Sequence, residues 1–333
     1  MADGSVRTMR DARLNDAGFD LTRSWALPFA SFPVAADDEP LSAYLTRLGF
    51  SADQLQYTRR SWGNAAGDAI ERISARAAVE EMTDTSAGQG DFRILDGYDS
   101  LLNRLADGID IRLNTVVTTI EWERQPVRVH TANGETFEAD QVVITLPLGV
   151  LKSGQICFVP ELPADKQEAI GALTMGYGIK LVYRFDAPLL PEGVMAFYSP
   201  RNPPMWWSPS FGHDSDAVVI TAFATGDWAR ELLSSGKPLE RALATLRAEL
   251  GRPNIEPLAA RLVNWVDDPY SLGGYSVAPP GAADARACLA QPTAGRLFWA
   301  GEATAPNPQA STVHGAYASG RRAAAAISLL KAR

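Results

Sequence analysis

The residues best placed to do chemistry lie in one block near the C-terminus. Residues 296–301 (RLFWAG) read as a buried strand, Gly301-Glu302 ends it, and a Pro/Asn/Ala loop leads to Thr312-Val313-His314-Gly315-Ala316. These last residues open a helix that runs to Leu330, with small residues at Gly315, Ala316, Ser319 and Gly320. A helix start offers unpaired N–H groups and roughly half a positive charge, and so favours an anionic ring or phosphate beside it. Gly301 permits close backbone approach, and Glu302 offers an acceptor to a hydroxyl. Taken alone, the block also reads as a buried strand packed on a small-faced helix, and the residues leave both readings open.

Other candidates are scattered. Lys180 lies in Ile179-Lys180-Leu181-Val182-Tyr183-Arg184-Phe185, a strand with apolar neighbours. Burial lowers a lysine's pKa, which suits it to accept or relay a proton. Trp265 and Tyr275 serve either core packing or the wall of a ligand site. The three histidines do not cluster: His130 is placed on a surface strand, His213 in a loop, and His314 in a structural role at a helix start, where a positive charge would oppose the dipole. No metal site is expected. Cys157 and Cys288 stand in unrelated contexts, which argues against a disulfide framework and fits a reducing, cytoplasmic setting.

With 333 residues the expectation is two domains. The net charge is −8 and the basic residues form only short pairs such as Arg59-Arg60 and Arg321-Arg322, which excludes a nucleic-acid binder. No apolar stretch approaches the roughly 18 residues of a membrane span, and the polar N-terminus is not a secretory signal. Periodicity predicts a helix from Leu41, stopped by Gly49, a second over residues 64–82, and a loop at Gln89-Gly90-Asp91. It predicts a third helix over Tyr98–Ala106, then a β-meander through Ile111–Leu113, Val116–Trp122 and Val127–Thr131. Asn133-Gly134 reads as a hairpin turn because both positions tolerate positive φ, and Val142–Ile144 as a strand buried on both faces. Residues 160–173 include a helix, Lys180–Phe185 is a strand, 193–225 are strand-rich, and Leu239–Leu250 is a helix closed by Gly251.

Four blocks in order carry a family resemblance: LDGYDSLLNRLADGIDIRLNTVVTTIEW; VVITLPLGVLKSGQICFVPELPADKQEAI with MGYGIKLVYRFD; WVDDPYSLGGYSVAPPG; and GEATAPNPQASTVHGAYASGRRAA. Together they resemble the flavin-containing amine oxidases, which include polyamine and monoamine oxidases and lysine-specific histone demethylases. The resemblance is good over roughly 92–330 and weak over 1–91. It implies an α/β fold, with a partial FAD-binding domain of Rossmann-like, glutathione-reductase type and a mixed α+β substrate domain. The substrate domain would comprise 1–95 and 152–275, and the FAD domain 96–151 and 276–333. The implied reaction takes hydride from an amine's α-carbon to flavin N5, followed by imine hydrolysis, reoxidation by O2 and release of H2O2.

Family roles carry over at matching positions. Lys180 corresponds to the lysine that holds a water against N5. Tyr275, Thr312 and Trp265 correspond to the substrate cage and flavin wall. Val117, Thr145, Leu146, Pro147, Trp265, Tyr270, Gly301, Glu302, Thr312, Val313 and Ala316 correspond to cofactor contacts. Gly274 stands where monoamine oxidases carry a flavin-bonding cysteine, which implies noncovalent FAD, and Thr312 in place of a second tyrosine implies a half-open cage. An amino-acid substrate would instead need a carboxylate-binding arginine, with Arg184 and Arg201 as candidates. The family pattern opens with a strand and a G-x-G-x-x-G turn that this sequence lacks; Gly4 and Gly18 are isolated. The resemblance therefore implies a fragment, a split enzyme whose partner chain supplies that βαβ unit, or a noncatalytic, cofactor-free relic.

Overall fold

The computed structural model describes residues 38–83, 94, 96–212 and 218–331. The Gln89-Gly90-Asp91 loop, His213 and the N-terminal 37 residues lie outside these. Helix α1 (Leu41–Arg47) ends before Gly49, which takes the left-handed conformation. Helix α2 (Ala52–Thr58) starts on a Ser51/Gln54 capping box and runs into a π-turn over Arg59–Gly63. The single helix expected over 64–82 is broken. A short helical turn, Asn64–Ala66, stops at Gly67 (φ 95°), and helix α3 begins only at Ala75 and runs to Thr83. The break is held by Asp68, buried and bonded to Arg72 (2.6 Å) and Arg230 (3.3 Å).

Helix α4 (Tyr98–Ala106) forms where periodicity places it, yet none of its residues is buried. Ile111–Leu113 form no strand; they are exposed, and Asn114 (φ 56°) turns the chain before β1 (Val117–Glu121). β1 pairs with β2 (Val127–Thr131), and β2 with β3 (Thr136–Ala139). In the β2–β3 loop only Gly134 is at positive φ (86°); Asn133 instead accepts a hydrogen bond from Thr131 and donates one to Glu135. Next come β4 (Val142–Ile144), α5 (Leu148–Ser153), β5 (Cys157–Val159), which lies parallel to β1, and α6 (Ala164–Ala172).

The second half is built on a five-stranded antiparallel sheet in the order β11-β7-β10-β9-β8. Short β6 (Thr174–Met175) precedes β7 (Gly178–Phe185), and β8 (Ala196–Tyr198), β9 (Met205–Trp207) and β10 (Val218–Thr225) follow. Helices α7 (Gly226–Ser234) and α8 (Pro238–Leu250) lead to β11 (Ala259–Asn264). Side chains alternate along a strand. Ile179, Leu181, Tyr183 and Phe185, with Ile220, Ala222, Ala224 and Trp206, therefore point one way, into a core closed by α7 and α8. The chain ends with β12 (Ser276–Val277), α9 (Ala285–Ala290), β13 (Leu297–Trp299) and the long helix α10 (Val313–Lys331).

Among the described residues β13 pairs in parallel with β4 alone, Phe298 beside Val143. Leu297 and Trp299 face a core shared with β1, β2, α5 and α6, while Phe298 is covered by Ala323, Ala326 and Ile327 of α10. α10 does not reach over β4. Val143, expected to be buried, is 41% exposed. No described helix is long and apolar enough to cross a membrane.

Two lysines lock the helices around this pair of strands. Lys152 of α5 donates to the carbonyls of Ile170, Gly171 and Leu173 at the end of α6, at 2.7–3.0 Å. Lys166 of α6 does the same to Cys288, Leu289 and Gln291 at the end of α9, at 2.7–2.9 Å. A helix's last carbonyls carry partial negative charge, so each ammonium replaces hydration with three acceptors. Lys166 is buried, its Nζ 4.9 Å from the Trp299 ring centre, and desolvation pulls its pKa down to about 8. Lys166→Met removes the donor and leaves those carbonyls unpaired. It should cost roughly 2–4 kcal/mol of stability in a urea titration, and a loss under about 0.5 kcal/mol would remove Lys166 from this role.

Candidate active site

The face of the five-stranded sheet opposite its core carries Lys180. Register places Phe223 of β10 and Val263 of β11 on either side of it. Lys180 Nζ lies 5.8 Å from the ring centre of Trp207 and 5.3 Å from that of Trp265. Trp207 is itself braced edge-on by Phe223, with centroids 6.4 Å apart. No hydrogen bond or ion pair to Nζ is present among the described residues. Aromatic faces favour an ammonium, but no acceptor offsets its desolvation, and burial lowers the Lys180 pKa below its ordinary 10.5. The side chain is a half-buried amine, free to donate or accept.

Trp265, which reaches this face, and Tyr275 lie on one backbone segment that crosses a second almost in contact. Gly274 N donates to Gly176 O, Gly176 N to Tyr275 O and Gly273 N to Trp265 O, each at 2.8 Å. A Cβ on Gly176 would lie 2.8 Å from Gly67 O and 3.2 Å from Tyr275 O; one on Gly274 would lie 3.3 Å from Gly178 Cα. Gly274 thus has a packing reason to be glycine. The Tyr275 ring lies on Gly67, whose Cβ would come within 2.6 Å of it, and its hydroxyl donates to Ala65 O. Burial pushes that hydroxyl's pKa up, with Glu81 and Glu302 adding to the effect.

The strand ends and the start of α10 form the second wall. Both parallel strands, β4 and β13, end on this side, where open α/β sheets bind ligands. Thr145-Leu146-Pro147 follows β4, with Thr145 exposed, and Gly301-Glu302 follows β13. Gly301 has φ 113°, and the nearest atom to a Cβ there would be Thr145 O at 3.9 Å, so the backbone is open to close approach. Ser319 of α10 accepts from Gly301 N (2.8 Å), and Arg322 donates to Trp299 O and Thr304 O (2.9 Å each). These bonds fix the Gly301 turn against the helix. Glu302 is not a free acceptor: Ser276 N (3.0 Å), Ser276 Oγ (2.7 Å) and Ser311 N (3.0 Å) all donate to its carboxylate.

Thr312 caps α10. Its hydroxyl accepts from Gly315 N (3.0 Å) and donates to Gln309 O (2.7 Å), which leaves only its methyl for a cavity wall. Val313 is 58% exposed, and no hydrogen bond to the backbone N–H of Val313 or His314 is present among the described residues. An open glycine turn and a helix start with unclaimed N–H groups fit the flavin end of FAD, whose reduced form is anionic. No glycine-rich phosphate turn stands among the described residues, so the fit extends to the flavin end only. Tyr270 projects to solvent beside Asp268; Ala316 is half-buried in the first turn of α10; Val117 opens β1 and packs against the core that holds Ile144 and Trp299. Arg201 is tied to Glu249 (2.6 Å), and Arg184 lies four residues along β7 from Lys180, about 13 Å. Trp207 was not legible as a site residue. In Trp206-Trp207 the strand period sends one ring to the core and the other to Lys180, and only the register says which.

Parallel strand ends, a pinned glycine turn and an open helix start make up an α/β site of the kind that binds a cofactor. The sequence profile of the flavin-containing amine oxidoreductases matches residues 3–328, and the chain belongs to that family, whose cofactor is FAD. It is 33% identical to polyamine oxidase 2 of Arabidopsis thaliana over 96% of this chain and 62% of that protein. It is 36% identical to polyamine oxidase 4 of Oryza sativa subsp. japonica over 69% of this chain and 48% of that protein. A lysine-specific histone demethylase 1 homolog of the same rice is 33% identical over 86% of this chain and 35% of its own length. The chain thus spans about half to three-fifths of the polyamine oxidases it matches. Among solved structures, a triple mutant of putrescine oxidase superposes with a TM-score of 0.78 at 18% identity, covering 99% of this chain and 78% of that one. Cyclohexylamine oxidase from Brevibacterium oxydans IH-35A gives 0.73 at 20% identity, over 94% and 73%. Both show the same fold.

Gly176→Ala tests the crossing. It should cost about 1–3 kcal/mol, because both contacted atoms are backbone oxygens, and should alter the near-ultraviolet circular dichroism of Tyr275 and Trp265. A variant with wild-type stability and spectrum would show that the segments part freely.

Proposed function

We propose that this chain is the flavin- and amine-binding part of an FAD-dependent amine oxidase of polyamine-oxidase type. The observation that carries this is Lys180, an amine without a hydrogen-bond partner among the described residues, held between Trp207 and Trp265. When bound, noncovalent FAD supplies the redox chemistry, taking hydride from the carbon that bears the nitrogen, with O2 as the final acceptor and H2O2 as product. The start of α10 and the Gly301 turn would hold the flavin end. Tyr275 on one side and the Thr312 methyl on the other would orient the amine, leaving the cage half open. Lys180 would hold a water and move a proton at the reacting centre.

A primary or secondary amine fits better than an amino acid. Arg201 is already paired, and Arg184 stands too far along its strand to clamp a carboxylate beside Lys180. Lys180→Met should slow anaerobic flavin reduction by an amine on the order of 10²-fold or more. Because the Lys180 pKa is depressed, the wild-type reduction rate should rise with pH in a window below 10.5, and the variant should lose that limb. An unchanged rate and pH profile in Lys180→Met would remove Lys180 from the chemistry.

One observation favours a second reading, in which the active enzyme includes a partner chain. Amphipathic α4 buries nothing, Ile109, Ile111 and Leu113 stand in water, and strand β4 presents Val143 where α10 covers only Phe298. Among the described residues nothing pairs with the free edge of β4, and a parallel edge beside apolar side chains calls for a strand and helix to cover it. The chain alone and the chain mixed with a separately produced βαβ dinucleotide-binding segment should be compared by visible spectrum. A flavin spectrum in the mixture alone establishes the partner; one in the chain alone rules the partner out; a colourless protein in both sinks the oxidase reading.

A further inference from the structure

Asp68 takes no part in the chemistry proposed for Lys180, yet its side chain is only 2% exposed. A buried carboxylate persists where donors replace its water. Ala69 N donates to Asp68 at 2.9 Å, Arg72 from Nε and Nη2 at 2.6–3.2 Å, and Arg230 from Nη1 at 3.3 Å. Both guanidiniums also donate to Asp227 at the start of α7, at 2.7 and 2.8 Å. Two carboxylates and two guanidiniums thus form a closed, neutral quartet. Arg230 lies over Tyr177, its Cζ 4.4 Å from the ring centre, and Tyr177 O accepts from Gly226 N at 3.1 Å. Gly226 (φ 49°) leaves the space that Asp68 fills: a Cβ there would lie 2.8 Å from Asp68 Cα and 2.9 Å from its Oδ1.

The quartet anchors one end of the short segment Asn64–Asp68, and the other end is fastened as firmly. Asn64 is buried; its Nδ2 donates to Phe223 O (3.3 Å), its Oδ1 accepts from Thr225 N (2.9 Å) and its carbonyl accepts from Thr225 Oγ1 (2.7 Å). Both ends are therefore tied to β10 and the start of α7. β10 is the neighbour of β7, and Phe223 is the residue paired with Lys180. Between the two anchors stand Ala65, Ala66 and Gly67, which have no polar side chain to hold them. This middle part meets Tyr275: Ala65 O accepts from the hydroxyl, and Gly67 (φ 95°) lies against the ring. The glycine crossing places the backbone of Tyr275, and this segment places its ring. A tyrosine side chain has only two torsions, so one ring contact and one hydroxyl bond fix both.

We propose that Asp68 is a positioning residue for Tyr275: its quartet holds the Gly67 turn to the sheet that carries Lys180, and the turn sets the ring that orients the amine. With Asp68 changed to asparagine, one oxygen replaces two as acceptor and an NH2 faces the guanidiniums. Two cations are then left with one carboxylate, and the turn loses its anchor. The inference rests on the reading in which Tyr275 orients a substrate amine, but the placement of the ring can be read without substrate or cofactor.

The experiment has two arms. In the first, without cofactor, the near-ultraviolet circular dichroism of the wild type less that of Tyr275→Phe gives the Tyr275 signal. The same difference is taken in Asp68→Asn, Gly226→Ala and Glu71→Gln. Asp68→Asn removes the charge, while Gly226→Ala keeps every charge and displaces the carboxylate by crowding. Each should cut the Tyr275 signal to about half or less, because a ring freed of either contact regains its torsions. Glu71→Gln breaks the outlying Arg59–Glu71 pair (2.6 Å) beyond the same turn and should leave the signal at its wild-type level. A full signal in Asp68→Asn or Gly226→Ala, or an equal loss in Glu71→Gln, would overturn the proposal. Should Asp68→Asn fail to fold, Gly226→Ala decides. In the second arm the FAD-loaded protein, alone or in the assembly that binds FAD, is reduced anaerobically with spermine. Asp68→Asn should raise the spermine concentration for half-maximal reduction rate by about tenfold, and combining it with Tyr275→Phe should add little. A merely structural loss would add to the effect of Tyr275→Phe in full, and that additivity would overturn the proposal. A protein that takes up no FAD, or is not reduced, counts against the oxidase reading, and the circular dichroism arm still decides the role of Asp68.

Discussion

The contact on which most else depends is the crossing of Gly176–Gly178 under Gly273–Gly274. It carries no side-chain chemistry. Its effect is geometric: two backbone hydrogen bonds, Gly274 N to Gly176 O and Gly176 N to Tyr275 O, form only because nothing larger than hydrogen stands between the segments. One segment runs on into β7 and carries Lys180; the other runs from Trp265 into Tyr275 and β12. The crossing therefore fixes the sheet that bears the amine against the strands that end at Gly301. A Cβ at Gly176 would press on the segment from Gly67 as well, so the same point also sets the floor beneath Tyr275.

Around that point the protein uses its buried cations on backbone oxygens more than on carboxylates. Lys166 takes three carbonyls, Arg322 takes Trp299 O and Thr304 O, and Arg286 takes Ser276 O. An acceptor fixed in the main chain costs no side-chain entropy to order, whereas an ion pair must order two flexible groups. All three holdings surround β13 and its exit, where Gly301 must keep a conformation open to a ligand. Lys180 is the counter-case: burial without an acceptor leaves an amine whose proton is weakly held, which is useful only where a proton must move.

Much of this was legible in the sequence. The C-terminal strand, its glycine and the helix that follows were visible from residue types, and β7, α8 and most of the meander from periodicity. Three kinds of feature were not. The break at Gly67 depends on Asp68 meeting Arg230, 162 residues away. The role of Trp207 depends on the register of β9 against β10, since period two says only that Trp206 and Trp207 part company. The engagement of Glu302 with Ser276 and Ser311 depends on loops whose meeting no local pattern encodes. Thr312 shows the converse: a helix-capping threonine is readable from sequence, but reading it only as a cage position hid the cap that occupies its hydroxyl.

Exposure and function are joined at β4. Among the described residues its three are paired only with β13, and Val143 shares a face with Phe298 but not the cover that α10 gives Phe298. Thr145, two residues on, opens the cofactor-facing turn. A surface that covered Val143 would lie alongside Thr145-Leu146-Pro147, because a strand advances only about 3.3 Å per residue. Burial of that edge would therefore act directly on the cofactor-facing turn. Stability gained by covering Val143 would be gained next to the residues that face a cofactor, and anything that binds the folded state there would link folding to cofactor loading.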